Sequence, residues 1–227
     1  MSSFISNLRE NNRLSVTVIL AMSCLLSVSI EAFRVYYSGF NTYLFLIWNL
    51  FLAILPYVIS TFFLLYYKKI NSKILTGIIL ASWLLLFPNA PYIVTDFFHL
   101  DQKAGIPYWY DLGMILSFAW NGLILGFISL YDIQTALQRR FGAFKGWTFA
   151  IFSLVLGSFG IYLGRYERFN SWDVLTNPVE LFVDIANRFI HPMQHPRTML
   201  MTVLFSVVLI FGYVTLVMMF KPRKSEN

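Results

Sequence analysis

The chain has 227 residues and a formal net charge of +6; 58% of its residues are hydrophobic and only 12% are charged. That charged fraction is about half the usual one for soluble domains, and several apolar runs reach the ~20 residues that a helix needs to cross a bilayer. The composition therefore excludes a sizeable soluble domain. It also excludes nucleic acid as a partner, because no basic stretch is interleaved with aromatic residues in a polar context.

The apolar runs predict an all-α, polytopic membrane protein with six transmembrane helices, an outward-facing loop and a surface amphipathic helix. We treat residues 1–227 as a single transmembrane domain. The predicted spans cover about residues 14–30, 43–67, 74–94, 109–131, 147–163 and 198–220, and the third is broken at residues 88–91. The lone Cys24 excludes an internal disulfide and a multi-cysteine metal site.

Polar residues form a stripe along the first span. Ser23, Ser27, Glu31 and Arg34 follow one another at helical spacings and share one face. Glu31 and Arg34 are also three residues apart, a spacing at which ion pairs form on a helix. Two interpretations stay open: a salt bridge with the hydroxyls packed against a neighbouring helix, or one side of a polar cavity.

The third span contains the sequence FPNAPYIVTDFFHL at residues 87–100, in which two prolines surround Asn89. Pro88 lies about 21 Å along this span, within a hydrocarbon layer of about 30 Å, so the break is predicted at membrane depth. Irregular backbone is tolerated there only where it is buried in protein or lines a wet cavity. A plain helix end is the alternative. Asp96 and His99 are either an acid–base pair or a helix cap and an interfacial histidine.

The fourth span carries two kinds of helix contact. Asn121 lies deep in the apolar layer, on one face with Gly113, Ser117 and Asp132, and we expect it to hydrogen-bond another helix. Gly122 and Gly126 lie on roughly the opposite face. Their small-xxx-small spacing predicts a close approach to a neighbouring helix.

The longest polar segment, residues 164–197, begins with GRYERFNSWDVLTNP. Within it, Asn177 followed by Pro178 is typical of a helix start, which predicts a helix over about residues 178–190. Its apolar side consists of Val179, Phe182, Ile185, Ala186, Phe189 and Ile190. We expect this helix to lie on the membrane surface rather than to cross it.

The distribution of positive charge predicts the orientation. Six spans place both termini on one side, and 11 of the 17 Lys and Arg residues fall on that side, in agreement in every short loop. We therefore predict a multi-pass protein of the cell membrane with both termini in the cytoplasm. Most acidic residues and all three histidines then lie outside.

Three blocks of the sequence resemble a known family. FPNAPYIVTD, WYDLGMILSFAWNG and YLGRYERFNSWDVLTNP are similar to the signature blocks of a bacterial family catalogued as domain of unknown function 1361. The resemblance runs from the first span to the last. It implies a multi-pass membrane protein without an established activity, and it provides no catalytic residue to carry over.

The outward-facing residues are the candidates for a substrate-binding site. They are Glu31, Arg34, Asn89, Tyr92, Asp96, His99, Arg165, Arg168, Trp172 and Asp173. Arginines at headgroup level beside aromatic residues suit an anionic amphiphile. A structural network that holds the loops together is the alternative for the same residues.

Known catalytic and metal motifs are absent from the sequence. No GxSxG, P-loop, dinucleotide or HExxH pattern occurs, and Pro192 and Pro196 disrupt the helix that would align His191 with His195. No metal, cofactor or catalytic residue is predicted, and whether the chain is an enzyme is left open.

Three functions fit these residues. The first is binding or processing of an anionic lipid or envelope-related substrate in an outward-facing polar cavity. The second is a scaffold or accessory subunit with protein partners in an envelope complex, and the third is a small-solute transporter or channel. Membrane lipids are partners in all three, and the oligomeric state is not predicted.

Overall fold

The computed structural model describes residues 6, 13–70, 72–101 and 105–220. Within these residues the chain is helical and forms no strand. Six helices are long and apolar enough to cross a membrane, which confirms the prediction of an all-α protein with six spans. Some of the basic residues that enter the orientation prediction lie outside the described residues, namely Arg9, Lys103, Lys221, Arg223 and Lys224.

The helices are numbered here in chain order. They are α1 (Arg13–Ser38), α2 (Phe45–Tyr66), α3 (Lys73–Leu86), α4 (Asn89–Tyr92), α5 (Tyr108–Phe141), α6 (Ala143–Tyr162), α7 (Asp173–Thr176), α8 (Pro178–Ile190) and α9 (Pro196–Phe220). A 3₁₀-helix at Ile93–His99 follows α4, a π-helical turn at Leu163–Glu167 follows α6, and a 3₁₀-helix at Pro192–Gln194 precedes α9. Both α1 and α5 run well past their predicted ends at residues 30 and 131.

The chain divides into two compact units, Met1–Ala136 and Leu137–Asn227, called unit 1 and unit 2 below. In unit 1, α2 packs against α3, α4 and the 3₁₀-helix Ile93–His99. The core residues contributed by α2 include Leu46, Leu50 and Ala53. Those contributed by the later elements include Ala90, Ile93, Met114, Ile115 and Phe118.

The irregular stretch after α3 stays helical but changes its hydrogen bonds. Because Pro91 has no N–H, the carbonyl of Phe87 accepts from the N–H of Ala90 instead, at 3.1 Å. The carbonyl of Leu86, which an unbroken helix would pair with Ala90, accepts from Asn89 Nδ2 at 2.9 Å. The predicted break is therefore a local change from α to 3₁₀ geometry, and side-chain and backbone donors satisfy both affected carbonyls.

A chain of hydrogen bonds joins α3, α5 and α2. Trp83 Nε1 donates to Ser129 Oγ at 2.6 Å, and the Ser129 hydroxyl donates to the carbonyl oxygen of Pro56 at 3.0 Å. Trp83 and Ser129 are fully buried. The pairing satisfies polar groups at a depth where the bilayer supplies no partner.

Gly122 and Gly126 bring α5 against the irregular stretch. A Cβ at Gly122 would lie 2.5 Å from the carbonyl oxygen of Ala90, and one at Gly126 would lie 3.1 Å from the Ala90 Cβ. The predicted close approach of this glycine pair is confirmed, and its partner is the segment that contains α4.

In unit 2, α6 packs along α9, and α7 packs against α8. Tyr162, Leu163 and Leu181 form a small buried cluster where α6 ends, and Ile185 of α8 packs against it. The bounds of α8 agree with the predicted helix over residues 178–190. Ile185, however, faces the protein rather than the exposed apolar side on which the sequence pattern placed it.

We predict that Gly122→Ala destabilises the protein by about 1–3 kcal/mol, because the new methyl group meets a backbone carbonyl that cannot rotate away. The measurement is thermal unfolding of the purified protein in detergent. Gly113→Ala is the matched control in α5, since a Cβ there meets no atom within 4 Å. It should leave stability unchanged or raise it by up to about 1 kcal/mol. Equal losses in both variants would contradict the packing described for Gly122.

Candidate functional site

The polar stripe of α1 meets α5 through a buried ion pair. Arg34 Nε donates to Asp111 Oδ1 at 2.7 Å, and Arg34 Nη2 donates to Asp111 Oδ2 at 3.2 Å. The two side chains are only 1% and 2% exposed. The remaining terminal nitrogen, Nη1, donates to the carbonyl of Phe40 at 3.4 Å, and the guanidinium carbon lies 4.6 Å from the ring centroid of Tyr43. All three guanidinium nitrogens of Arg34 therefore have hydrogen-bond partners within unit 1.

Glu31 is the unusual member of this stripe. It is 0% exposed, and neither carboxylate oxygen accepts a hydrogen bond from a residue that the structure describes. The helical spacing to Arg34 predicted an ion pair, but the guanidinium pairs with Asp111 instead. A buried carboxylate without a donor is rare in proteins and calls for an explanation. With Glu31 and Asp111 against Arg34, the three formal charges sum to one negative charge.

Asn121 of α5 continues the contact between α5 and α1, at the turns of α1 that carry Ser23 and Ser27. Its Nδ2 donates to Ser27 Oγ at 2.9 Å, to the carbonyl of Ser23 at 3.2 Å and to the carbonyl of Ser117 at 3.0 Å. The expected hydrogen bond to another helix is confirmed. The stripe on α1 packs against α5, as the first of the two interpretations expected of the hydroxyls, but its ion pair is Arg34–Asp111 rather than the Glu31–Arg34 pair expected from the spacing.

The candidates around the irregular stretch differ in exposure. Asp96 is 1% exposed and accepts from Asn49 Nδ2 of α2 at 2.8 Å. His99 is exposed, and its ring makes an edge contact with Phe45 at a centroid distance of 5.1 Å. Asn89 donates to the carbonyl of Leu86, as described above. Tyr92 is half-buried. The acid–base hypothesis for Asp96 and His99 stays a prediction.

A second ion pair in unit 1 joins Arg13 at the start of α1 to Asp132 of α5. Asp132 is 1% exposed, and its Oδ2 accepts from the Ser60 hydroxyl at 3.4 Å. Thr17 follows Arg13 by four residues in α1, and Tyr57 precedes Ser60 by three in α2. Their hydroxyls share a hydrogen bond of 2.7 Å. Sequence reasoning missed this pair because it placed Asp132 beyond the end of its span.

Arg188 of α8 is the hub of unit 2. Its side chain is 6% exposed and makes a two-pronged pair with Asp184, with Nε donating at 2.9 Å and Nη2 at 2.8 Å. Nη2 also lies 3.0 Å from Glu167 Oε1. Nη1 donates to the Tyr162 hydroxyl at 3.4 Å and to Thr198 Oγ1 at 3.4 Å. The hub thereby ties α8 to the end of α6 and to the start of α9.

The electrostatics of the hub keep its guanidinium charged. Burial lowers the pKa of Arg188, but the hydrogen bond and charge of Asp184, with the charge of Glu167, outweigh it and raise the pKa above the ordinary arginine value. Arg188 Nη1 also lies 3.2 Å from His195 Nδ1. Because a guanidinium can only donate, Nδ1 accepts, and the proton of a neutral His195 ring is on Nε2.

The predicted residues of unit 2 all precede Arg188 in sequence and have different roles. Asp173 accepts from the N–H of Asn170 at 2.6 Å and from Thr176 Oγ1 at 3.0 Å, so its carboxylate closes the turn at α7. Arg165 is half-buried, and Trp172 is 41% exposed.

Arg168 stands apart from the other arginines. It is exposed, has a left-handed backbone with φ of 62°, and has no side-chain partner among the residues that the structure describes. Its N–H donates to the carbonyl of Leu163, so the backbone that presents it is anchored to the π-helical turn. Residues other than glycine adopt this backbone conformation uncommonly, so an arginine at this position deserves a functional explanation.

The candidates are thus divided between two units. In unit 1, Glu31 and Arg34 come together with Asp111, which the sequence did not select. In unit 2, the sequence selected the segment of Arg165 to Asp173 but missed Arg188. The spacing of Asp184 and Arg188, four residues apart on a predicted helix, is the signal that points to part of the hub. Among the described residues, no group of three His, Cys, Asp or Glu side chains could hold a metal ion.

Comparison with known proteins identifies the family. The family model described as "Protein of unknown function (DUF1361)" matches residues 48–211, and the chain belongs to this family. The resemblance carried by the three sequence blocks is confirmed. No curated protein and no solved structure matches the chain significantly. The family membership agrees with a multi-pass membrane protein and assigns no chemical role to a residue.

We predict opposite effects for two neighbouring residues of α1. Arg34→Gln should destabilise the protein by about 3–5 kcal/mol, because it leaves Asp111 buried without its cation. Glu31→Gln should be neutral or stabilising, because it removes a buried charge that has no donor. Thermal unfolding of both variants in the same detergent measures the difference. A large loss in Glu31→Gln would contradict this account and show that the Glu31 carboxylate has a bound partner.

Proposed function

We propose that this chain is a protein of the cell membrane with both termini in the cytoplasm, and that its outer surface binds the anionic headgroup of a lipid or lipid-linked envelope precursor. The observation that supports the binding proposal is Arg168, which is exposed and pairs with no side chain in the described part of the chain. The orientation is supported by the excess of Lys and Arg on the side of the termini.

The arginines differ in whether their hydrogen-bond donors are already occupied. The guanidinium groups of Arg34 and Arg188 are saturated by buried carboxylates and cannot bind a ligand without breaking those pairs. Arg168 presents its donors outward, and a guanidinium matches the geometry of a phosphate oxygen pair. The exposed indole of Trp172 nearby in the chain is typical of the headgroup level of a membrane.

The charged groups of the segment differ in whether they already have partners. Arg165 and Arg197 add positive charge on either side of Arg168 in sequence, and the Arg197 guanidinium lies 5.6 Å from the Tyr166 ring centroid. The carboxylates of the same segment are occupied: Asp184 and Glu167 face Arg188, and Asp173 closes a turn. Glu180, the fourth carboxylate, accepts from Asn177 Nδ2. The four carboxylates balance the four arginines in number, but none of them contacts Arg168 among the described residues.

We predict that Arg168→Gln weakens binding of phosphatidylglycerol about tenfold, which corresponds to the loss of one charge-assisted hydrogen-bonding group. Native mass spectrometry of the detergent-solubilised protein, titrated with phosphatidylglycerol and with phosphatidylcholine, measures the change. Inorganic phosphate in a parallel titration separates recognition of a lipid from recognition of a free anion.

Arg139→Gln is the matched control for this experiment. Arg139 is also exposed and in unit 2, but the proposed topology places it on the cytoplasmic side. Equal losses in the two variants, or an equal preference for phosphatidylcholine, would contradict a specific site at Arg168. A lipid analysis of a deletion strain that shows unchanged lipids and wall precursors would argue against a role in the envelope.

We predict the orientation with two reporter fusions. A fusion at residue 71 should report the cytoplasm, and one at residue 170 should report the outside, because the basic residues of the short loops are retained on the inner side. Fusions of alkaline phosphatase and green fluorescent protein at each position give the readout. An external signal from residue 71 would overturn the topology and with it the outward position of Arg168.

A scaffold or accessory subunit of an envelope complex is the second candidate, and unit 1 favours it. Arg34, Asp96 and Asn121 are closed in by their own partners, as expected if these polar groups hold helices together rather than bind a substrate. Substitution of Asp96 would then reduce assembly or abundance without changing lipid binding. For a transporter, Glu31 is the specific supporting observation, because an ionisable residue within a span is a candidate coupling site.

A further inference from the structure

The helix α8 presents two different faces. Val179, Phe182, Val183, Phe189 and Ile190 lie on one arc and are 58–73% exposed. On the opposite side, Leu181 and Arg188 are buried at 5% and 8% exposure. Within the described chain, one arc residue has a ring partner: the Phe189 ring lies 5.6 Å from that of Phe159 and is still 68% exposed. Most of the apolar surface of the arc is therefore uncovered, whereas the other face is fixed to the protein.

The exposed apolar surface continues beyond the ends of α8. Leu175 before the helix is 83% exposed, and Met193 after it is 87% exposed. A cluster of this many large apolar side chains is uncommon on a surface that faces water, and marks a contact with a partner or with lipid.

The connections of α8 decide between these partners. The chain enters this region from the candidate span that ends at Glu167 and leaves it into the candidate span that begins at Pro196. Both ends of the segment are therefore held at the membrane surface. With 13 residues, α8 is about 20 Å long, too short for a hydrocarbon layer of about 30 Å.

Polar and charged residues border the apolar arc, among them the exposed acid Glu180 in the first turn of α8. Exposed Arg168 precedes α8 and exposed Arg197 follows it, while exposed Asn187 lies at the edge of the apolar arc. An apolar arc bordered by polar residues, with cationic groups at both ends, matches the boundary between acyl chains and anionic headgroups.

We propose that α8 lies in the plane of the membrane–water boundary, on the external side of the membrane. The arc from Val179 to Ile190 contacts lipid, and Arg188 holds the opposite face to the end of α6 and the start of α9. The partner is thus the bilayer itself. This goes beyond the binding of one headgroup at Arg168, because it concerns the whole apolar arc and does not depend on that site.

Single-cysteine probes test the proposal in the full chain. Cys24→Ser removes the one native cysteine, which is buried in α1. In that background, Phe182→Cys and Phe189→Cys place a bimane label on the apolar arc, and Asn187→Cys places it at the exposed polar edge as the matched control. The labelled proteins are reconstituted in vesicles of phosphatidylcholine and phosphatidylglycerol.

Two quenchers then report the surroundings of each label. Doxyl-labelled phospholipids should quench positions 182 and 189 severalfold more than position 187, and aqueous iodide should show the reverse order. Quenching of position 182 by iodide and not by doxyl lipid would overturn the proposal by placing the arc in water. Protection of positions 182 and 189 from both quenchers would also overturn it, because a protein partner or a second copy would then cover the arc. Circular dichroism of each variant confirms that the helices are retained.

Discussion

Polar groups inside a membrane must find their partners within the protein, because hydrocarbon supplies none. This constraint explains the irregular stretch after α3, where the Ala90 N–H serves the Phe87 carbonyl in place of Pro91, and Asn89 Nδ2 serves the Leu86 carbonyl that Ala90 leaves. It also explains why Asn121, Ser27 and Ser129 point at other helices rather than outward. The same requirement makes Glu31 informative, since its carboxylate is the buried acid that the described residues of unit 1 leave without a donor.

The arginines show how one residue type serves two purposes. Arg34 and Arg188 are buried, and each makes two hydrogen bonds to one carboxylate. Arg34 joins α1 to α5 through Asp111, whereas Arg188 joins α8 to the end of α6 and the start of α9 through Tyr162 and Thr198. Arg168 has a comparable side chain but an exposed position and a left-handed backbone, and its donors are left for a ligand. The difference lies in what surrounds each guanidinium, and composition alone does not reveal it.

The sequence predicted the six spans, α8 and the polar stripe of α1, because each is encoded by local periodicity. The partners of the polar residues follow from tertiary packing instead. Local spacing paired Arg34 with Glu31, but the folded chain brings Asp111, 77 residues away, against both Nε and Nη2 of the guanidinium. Arg188 was missed for the same reason: only the folded chain brings Glu167, His195 and Thr198 to it. Asp173 was selected by its position, and its role in a local turn depends on neighbours three residues away.

The length of α5 has a consequence for the membrane in which the protein works. Its 34 residues make a helix of about 51 Å, well beyond a hydrocarbon layer of about 30 Å. Trp109 and Arg139 lie near its two ends, and their spacing of about 45 Å matches a bilayer measured together with its headgroups. A thinner bilayer would create a hydrophobic mismatch that this helix relieves by tilting. We therefore expect the tilt of α5 to change with the thickness of the bilayer.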